Sequence, residues 1–263
     1  MKKNRTQKRF ALALLAALFI GMVCGIVIQR NQVPRLIRRT MRSCLRPRAS
    51  LRAARPAEKS ISLKTRAFAF ASDKDKYDTE RDSKYTYPIR ELDPRSVAVV
   101  LIDVWADNPN DGWQVRAHAH MKRTIVPLLE LARRHGLAVV HSHNREPVAH
   151  EAKPLPGEFV VDPDNLPDDT AELDGYLKAH NIKTLLYAGY ASNGCLLTRP
   201  TGILEMKRLG YDIILLRDCT LAVEAPETLD GEWTNKVMAT TVEINWGSTA
   251  TLKDLREAFG EKG

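Results

Sequence analysis

Apolar positions along most of this chain come in blocks, and the blocks alternate between strand length and helical spacing. Val97-Ala98-Val99-Val100-Leu101-Ile102 is one continuous apolar run that stops at Asp103. Such a run predicts a strand covered on both faces. Met121, Ile125, Leu128, Leu129 and Ala132 then place one stripe on a helix, which starts near Val115 and closes at Gly136. Leu137 to Val140 predicts a second strand, ending in His141-Ser142-His143. A long proline-bearing loop over 144–168 follows, crossed by Phe159-Val160-Val161, a short apolar piece ending at Asp162. A helix from about Asp168 to His180 carries Leu173, Tyr176 and Leu177 inward. Thr184 to Ala188 has the length of a buried strand and breaks at Gly189. Cys195 then opens a helical pattern of Leu196, Leu197, Ile203, Leu204 and Leu209, with Gly210 as its stop. Ile213 to Leu216 predicts a fifth strand, which runs out to Asp218. A loop over 221–232, a helix over 233–244, a β piece at Ser248-Thr249-Ala250 and a helix over 251–259 complete the body. The alternation predicts an α/β domain with a parallel sheet. Residues 61–94 are polar and irregular, and predict an arm that wraps the surface.

Charge redraws the first sixty residues. The chain has 263 residues and a net charge of +8, but residues 1–57 hold 14 Lys and Arg and no acid, which leaves 8 − 14 = −6 for residues 58–263. The basic balance belongs to the leader, so nucleic-acid binding by the body does not follow from it. Phe10 to Ile28 is a run of 19 residues without a charge. At 1.5 Å per residue it spans roughly 28 Å, about one hydrocarbon core. It predicts a single-pass membrane anchor over about 10–28; a cleaved leader or an organelle targeting peptide is the alternative. The predicted organisation is an anchor over 1–29, a basic linker over 30–60, an arm over 61–94 and a domain over 95–263. Basic residues flank the run on both sides, so the positive-inside rule gives no orientation.

Two positions stand out chemically. Asp103 ends a buried strand, and open parallel sheets bind ligands beyond the carboxyl ends of their strands. Cys195 sits where a helix begins, and helix N-termini favour thiolate, the nucleophilic form. A buried structural cysteine is the plainer alternative. His141 and His143 share one face of a strand, a spacing a metal site can use, but no third ligand is evident and no metal is assigned. The four cysteines form no C-x-x-C pair and no disulfide scaffold. Trp105, Trp113 and Trp246 are candidates for lining a pocket, or for ordinary core.

Three pieces together carry a resemblance: Val99-Val100-Leu101-Ile102-Asp103, Ala188-Gly189-Tyr190-Ala191-Ser192-Asn193-Gly194-Cys195, and Leu209-Gly210-Tyr211-Asp212 running to Arg217-Asp218-Cys219. Over roughly 95–258 the chain resembles the isochorismatase-like cysteine hydrolases, which include nicotinamidases, N-carbamoylsarcosine amidases and ureidoacrylate amidases. The resemblance implies a three-layer α/β sandwich with a central parallel sheet. It implies Asp103 as general base, Cys195 as nucleophile, and the backbone N–H groups of Ala191 and Cys195 as oxyanion donors. It also implies a non-proline cis peptide near Tyr190-Ala191, no cofactor, a small amide or ureido substrate, and association of copies into an oligomer. The family's third residue, a lysine, is missing. Its slot falls on Asp162, and no lysine occurs between Lys153 and Lys178. Lys153 or Arg145 swinging in, a proton shared between Asp162 and Asp103, or impaired catalysis are the ways out. The expected activity is therefore hydrolysis of a C–N bond, against a lapsed enzyme kept as a membrane-tethered binding or scaffold protein.

Overall fold

The computed structural model describes residues 60–71, 80–105, 111–143, 148–162 and 169–261. The apolar run over 10–28, the basic linker up to residue 59 and Arg145 lie outside them. Among the described residues no helix is long and apolar enough to cross a membrane.

The body is organised around β5 (Val97–Ile102), whose six side chains are all buried. To one side of it lie β6 (Ala138–Ser142) and then β7 (Phe159–Val160). To the other lie β8 (Thr184–Tyr190), β9 (Asp212–Leu221) and β10 (Ser248–Ala250). Every pairing in this six-stranded sheet is parallel. The order β10-β9-β8-β5-β6-β7 reverses direction between β5 and β8.

Side-chain alternation on β5 splits the core in two. Val97, Val99 and Leu101 pack with α1 (Gly112–Arg134) and α6 (Leu252–Ala258). Ala98, Val100 and Ile102 pack with α2 (Asp169–Ala179), α3 (Cys195–Thr198), α4 (Ile203–Arg208) and α5 (Trp233–Asn245). Helices therefore cover both faces, which is why the strand reads as an unbroken apolar run. The first helix begins at Gly112, ahead of the predicted Val115, because the Asp111 carboxylate accepts from the N–H groups of Trp113 and Gln114.

Two expectations need correcting. The arm over 61–94 is not irregular. It contains β1 (Ile61–Lys64) paired antiparallel with β4 (Ile89–Leu92), and β2 (Ala67–Ala69) paired with β3 (Lys84–Thr86). Ile61 and Leu63 face the core while Ser62 and Lys64 face out, a two-residue period too short to stand out in a polar segment. Arg66 closes the edge of β10 with two backbone bonds to Thr249, and its Nε donates to the buried Glu243 at 2.7 Å. The second correction is the single helix expected from Cys195 to Leu209. It is two short helices separated at Arg199-Pro200-Thr201-Gly202. Pro200 disfavours the helical conformation for the residue before it, and Arg199 is extended, with φ −58° and ψ 154°.

Candidate active site

The carboxyl ends of β5 and β8 meet where the strand order reverses, the usual ligand position of an open parallel sheet. Asp103 directly follows β5. It is fully buried, its N–H donates to Ser142 O at 2.9 Å, and its φ is 48°. Gly189 lets the neighbouring strand come close: its φ is +109°, and a Cβ there would fall 2.1 Å from Ile102 O. The peptide Tyr190-Ala191 is cis. After it the chain folds into a tight turn, with Gly194 N–H on Ala191 O at 3.0 Å and Ser192 Oγ donating to Asn235 at 2.7 Å. That turn delivers Cys195, half-buried, beside the Asp103 carboxylate, which pushes its thiol pKa up. The N–H groups of Ala191 and Cys195 take part in none of the turn and loop hydrogen bonds of the described residues.

A cation is also present, and among the described residues it is Arg199 and not Lys153. Arg199 Nη1 donates to Asp103 Oδ1, and the Arg199 side chain is only 11% exposed. Its Nε has no hydrogen-bond partner. Lys153 is exposed, and its carbonyl accepts from Arg133. Asp162 is half-buried, and its N–H donates to Glu172. Asp169, at the start of α2, is fully buried and neither of its carboxylate oxygens has a partner. Burial raises its pKa, Arg199 pulls it down, and Glu172 and Asp162 push it up again.

The thiol differs from expectation. Burial and the Asp103 carboxylate push Cys195 up to about 11, against a downward pull from Arg199 and from its own N–H. A helix of four residues sums few peptide dipoles, so the favourable field expected at its N-terminus is weak.

Three other candidates resolve into packing. His141 Nε2 meets Glu158 Oε2 at 2.8 Å, and Glu158 also pairs with Arg133, so this histidine is held by an ion-pair network. Trp113 packs edge-on to Tyr190, and Trp246 packs against the core on the α5 side. Behind the turn, Tyr190 donates to Ala117 O at 3.1 Å and meets His120 Nδ1 at 2.9 Å. Burial lowers His120 to about 4, so it is neutral near pH 7.

The isochorismatase domain model matches residues 97–241. The chain belongs to the isochorismatase family. A cysteine hydrolase from Pseudomonas syringae pv. phaseolicola 1448A shares the fold at 18% identity and a TM-score of 0.53, over 64% of this chain and 94% of that one. An isochorismatase-like hydrolase from Alkaliphilus metalliredigens aligns at 21% identity and 0.49, over 62% and 99%. N-carbamoylsarcosine amidase from Thermoplasma acidophilum aligns at 18% and 0.44, over 59% and 96%. No curated protein matches the chain.

In this isochorismatase-family domain the structure brings Asp103, Ala191 and Cys195 together. Asp162 donates its N–H to Glu172, and its charge pushes the Asp169 carboxyl up. Sequence reasoning missed Arg199 and Asp169. Pro200 was the available signal for Arg199, since it ends the helix that would have turned that side chain away. Asp169 carried no signal, because an acid in the first turn of a helix is ordinary.

Proposed function

We propose that the chain is a hydrolase of a small amide or ureido C–N bond, with Cys195 as nucleophile and Asp103 as general base. One observation carries this: the half-buried thiol sits beside a fully buried carboxylate at the sheet's switch point. With a thiol near 11, only about one molecule in ten thousand is thiolate at pH 7. Attack on a carbonyl then needs a base in contact with the sulfur, and Asp103 is placed for that. Asp103 takes the proton as the C–S bond forms, and gives it to the leaving ammonia or amine. The N–H groups of Ala191 and Cys195 hold the oxyanion, and water clears the thioester.

A second reading, a lapsed enzyme that binds without turnover, is favoured by the raised thiol and by an acid in the lysine slot. Attachment to a membrane through 10–28 is proposed on the sequence alone. The test is ammonia release by the full chain from a panel of primary amides and ureido acids. Release abolished by both Cys195→Ala and Asp103→Asn is expected. Stoichiometric binding without release, unchanged by Cys195→Ala, would establish the lapsed enzyme.

A further inference from the structure

We propose that Arg199 is the positioning cation of this site, standing in from four residues beyond the nucleophile for the family lysine that Asp162 displaces. This rests on the hydrolase reading above and assigns the charge that reading lacks.

The backbone is built to present this arginine. Arg199 N–H donates to Cys195 O at 3.0 Å, so the residue leaves the short helix directly under the nucleophile. Pro200 then holds it extended. The segment after it is pinned from three sides. Thr170 Oγ1 donates to Pro200 O at 2.6 Å, Tyr187 OH donates to Thr201 O at 2.7 Å, and Ser142 Oγ meets Thr201 Oγ1 at 2.6 Å. Gly202 completes the turn where a Cβ would lie 2.8 Å from Leu197 O. A surface arginine gains little from an ion pair, whereas this guanidinium is held against a fully buried carboxylate.

The charges around it give it work to do. Asp103 follows β5, Asp162 follows β7, and Asp169 and Glu172 lie on the first turn of α2. Among the described residues, the charge of Arg199 pulls the Cys195 thiol down. Without it, the half-buried thiol would have to ionise beside the Asp103 carboxylate without that pull. A guanidinium also differs from an ammonium in staying protonated throughout the working range.

The experiment is site-resolved alkylation of the full chain. Iodoacetamide is applied from pH 6 to 11, and modification of the Cys195 peptide is followed by mass spectrometry, which separates it from the other three cysteines. Arg199→Met should slow Cys195 at pH 8 by about tenfold or more, since each unit of thiol pKa is a tenfold change in thiolate. Arg199→Lys should stay within about threefold of the parent, because it keeps the charge. Adding Asp162→Lys to Arg199→Met should recover most of the loss by returning a cation through the other slot. If Arg199→Met alone does not fold, the double variant decides: parent-like alkylation supports the proposal and a tenfold loss overturns it. Arg199→Met alkylating like the parent, or Arg199→Lys as slow as Arg199→Met, would also overturn it. Alkylation reports the thiol without turnover. A chain that releases no ammonia yet shows this Arg199 dependence would sink the hydrolase reading and leave the inference standing; amide turnover with no Arg199 dependence would do the reverse.

Discussion

Asp103 and Glu158 are both carboxylates beside the central sheet, and both meet an arginine and a second titratable side chain. Their surroundings differ in what is left over. Glu158 accepts from Arg133 Nε at 2.7 Å and Nη2 at 3.1 Å, from Leu155 N–H at 2.9 Å, and meets His141 Nε2 at 2.8 Å. Around Asp103, Arg199 keeps a buried Nε without a partner, and nearby Asp169 keeps two buried oxygens without one. A fully connected network stabilises and fixes a structure, whereas a buried polar atom left unpaired costs about 1–3 kcal/mol. The outer edge at β6 and β7 is thus built for stability. The switch point between β5 and β8 gives up stability for groups that a ligand can pair. Two histidines drew attention to the outer edge in the sequence; the chemistry of His141 is spent on holding the fold.

The largest expected effect tests whether the switch point needs its close approach. Gly189→Ala puts a methyl group 2.1 Å from the backbone oxygen of Ile102 at φ +109°, and should cost at least about 3 kcal/mol. Gly157, at the outer edge, has φ +93° but nothing within 4 Å of its Cβ position. There the same change should cost only about 1 kcal/mol, the strain of the backbone alone. Urea unfolding of the two variants measures the difference. Equal costs would mean that β8 does not depend on touching β5 to place the turn that carries Cys195.

How far the sequence showed this contrast depended on the length of each pattern. Asp103 and Cys195 were legible because each ends or follows an apolar run of strand length. Arg199 was not, because Leu196, Leu197, Ile203 and Leu204 keep helical spacing across a break that only Pro200 marks. The strands of the arm were hidden for the opposite reason: three or four residues with one buried face give too few apolar positions to register. The thiol was misjudged because a helix start carries a dipole in proportion to a length that spacing overstated. Glu158 was invisible, since its partners lie 25 and 17 residues away along the chain.

The next effect is on the outer network. Burial opposes it, but His141, Arg133 and the Leu155 N–H together hold Glu158 down to about 2. Folded and unfolded pKa values then differ by about 2.5 units, so ionised Glu158, discounted for the solvent screening of a part-exposed group, stabilises the fold by about 2–3 kcal/mol near neutrality. The sign follows from proton uptake. Between about 4.5 and 2 the unfolded chain binds the extra proton, so this stability is full above that window and is lost as pH falls through it. Glu158→Gln should lose about 2–3 kcal/mol at pH 7 and approach the parent near pH 2. Cys195 alkylation should be unchanged, because Glu158 spends its hydrogen bonds on Arg133, His141 and Leu155. A large change in alkylation would mean the two regions are coupled.

The smallest effect should carry the opposite sign. Asp169 has its pKa raised, first by burial, so the folded chain holds its proton more tightly than the unfolded one. Its penalty is fully present above the folded value and absent below the ordinary carboxylate range. Asp169→Asn removes the buried charge, and should stabilise the fold by about 1 kcal/mol at pH 7. Arg199 limits the gain, because its attraction to the carboxylate is lost with the charge. As the solution is acidified the parent protonates Asp169 and the advantage shrinks. The two variants therefore converge on the parent from opposite sides, Glu158→Gln from below and Asp169→Asn from above. Denaturant midpoints at pH 7 and pH 3 would show it. A loss at pH 7 for Asp169→Asn as large as that for Glu158→Gln would mean that Asp169 is already paired in solution, and that the switch point is as fully satisfied as the outer edge.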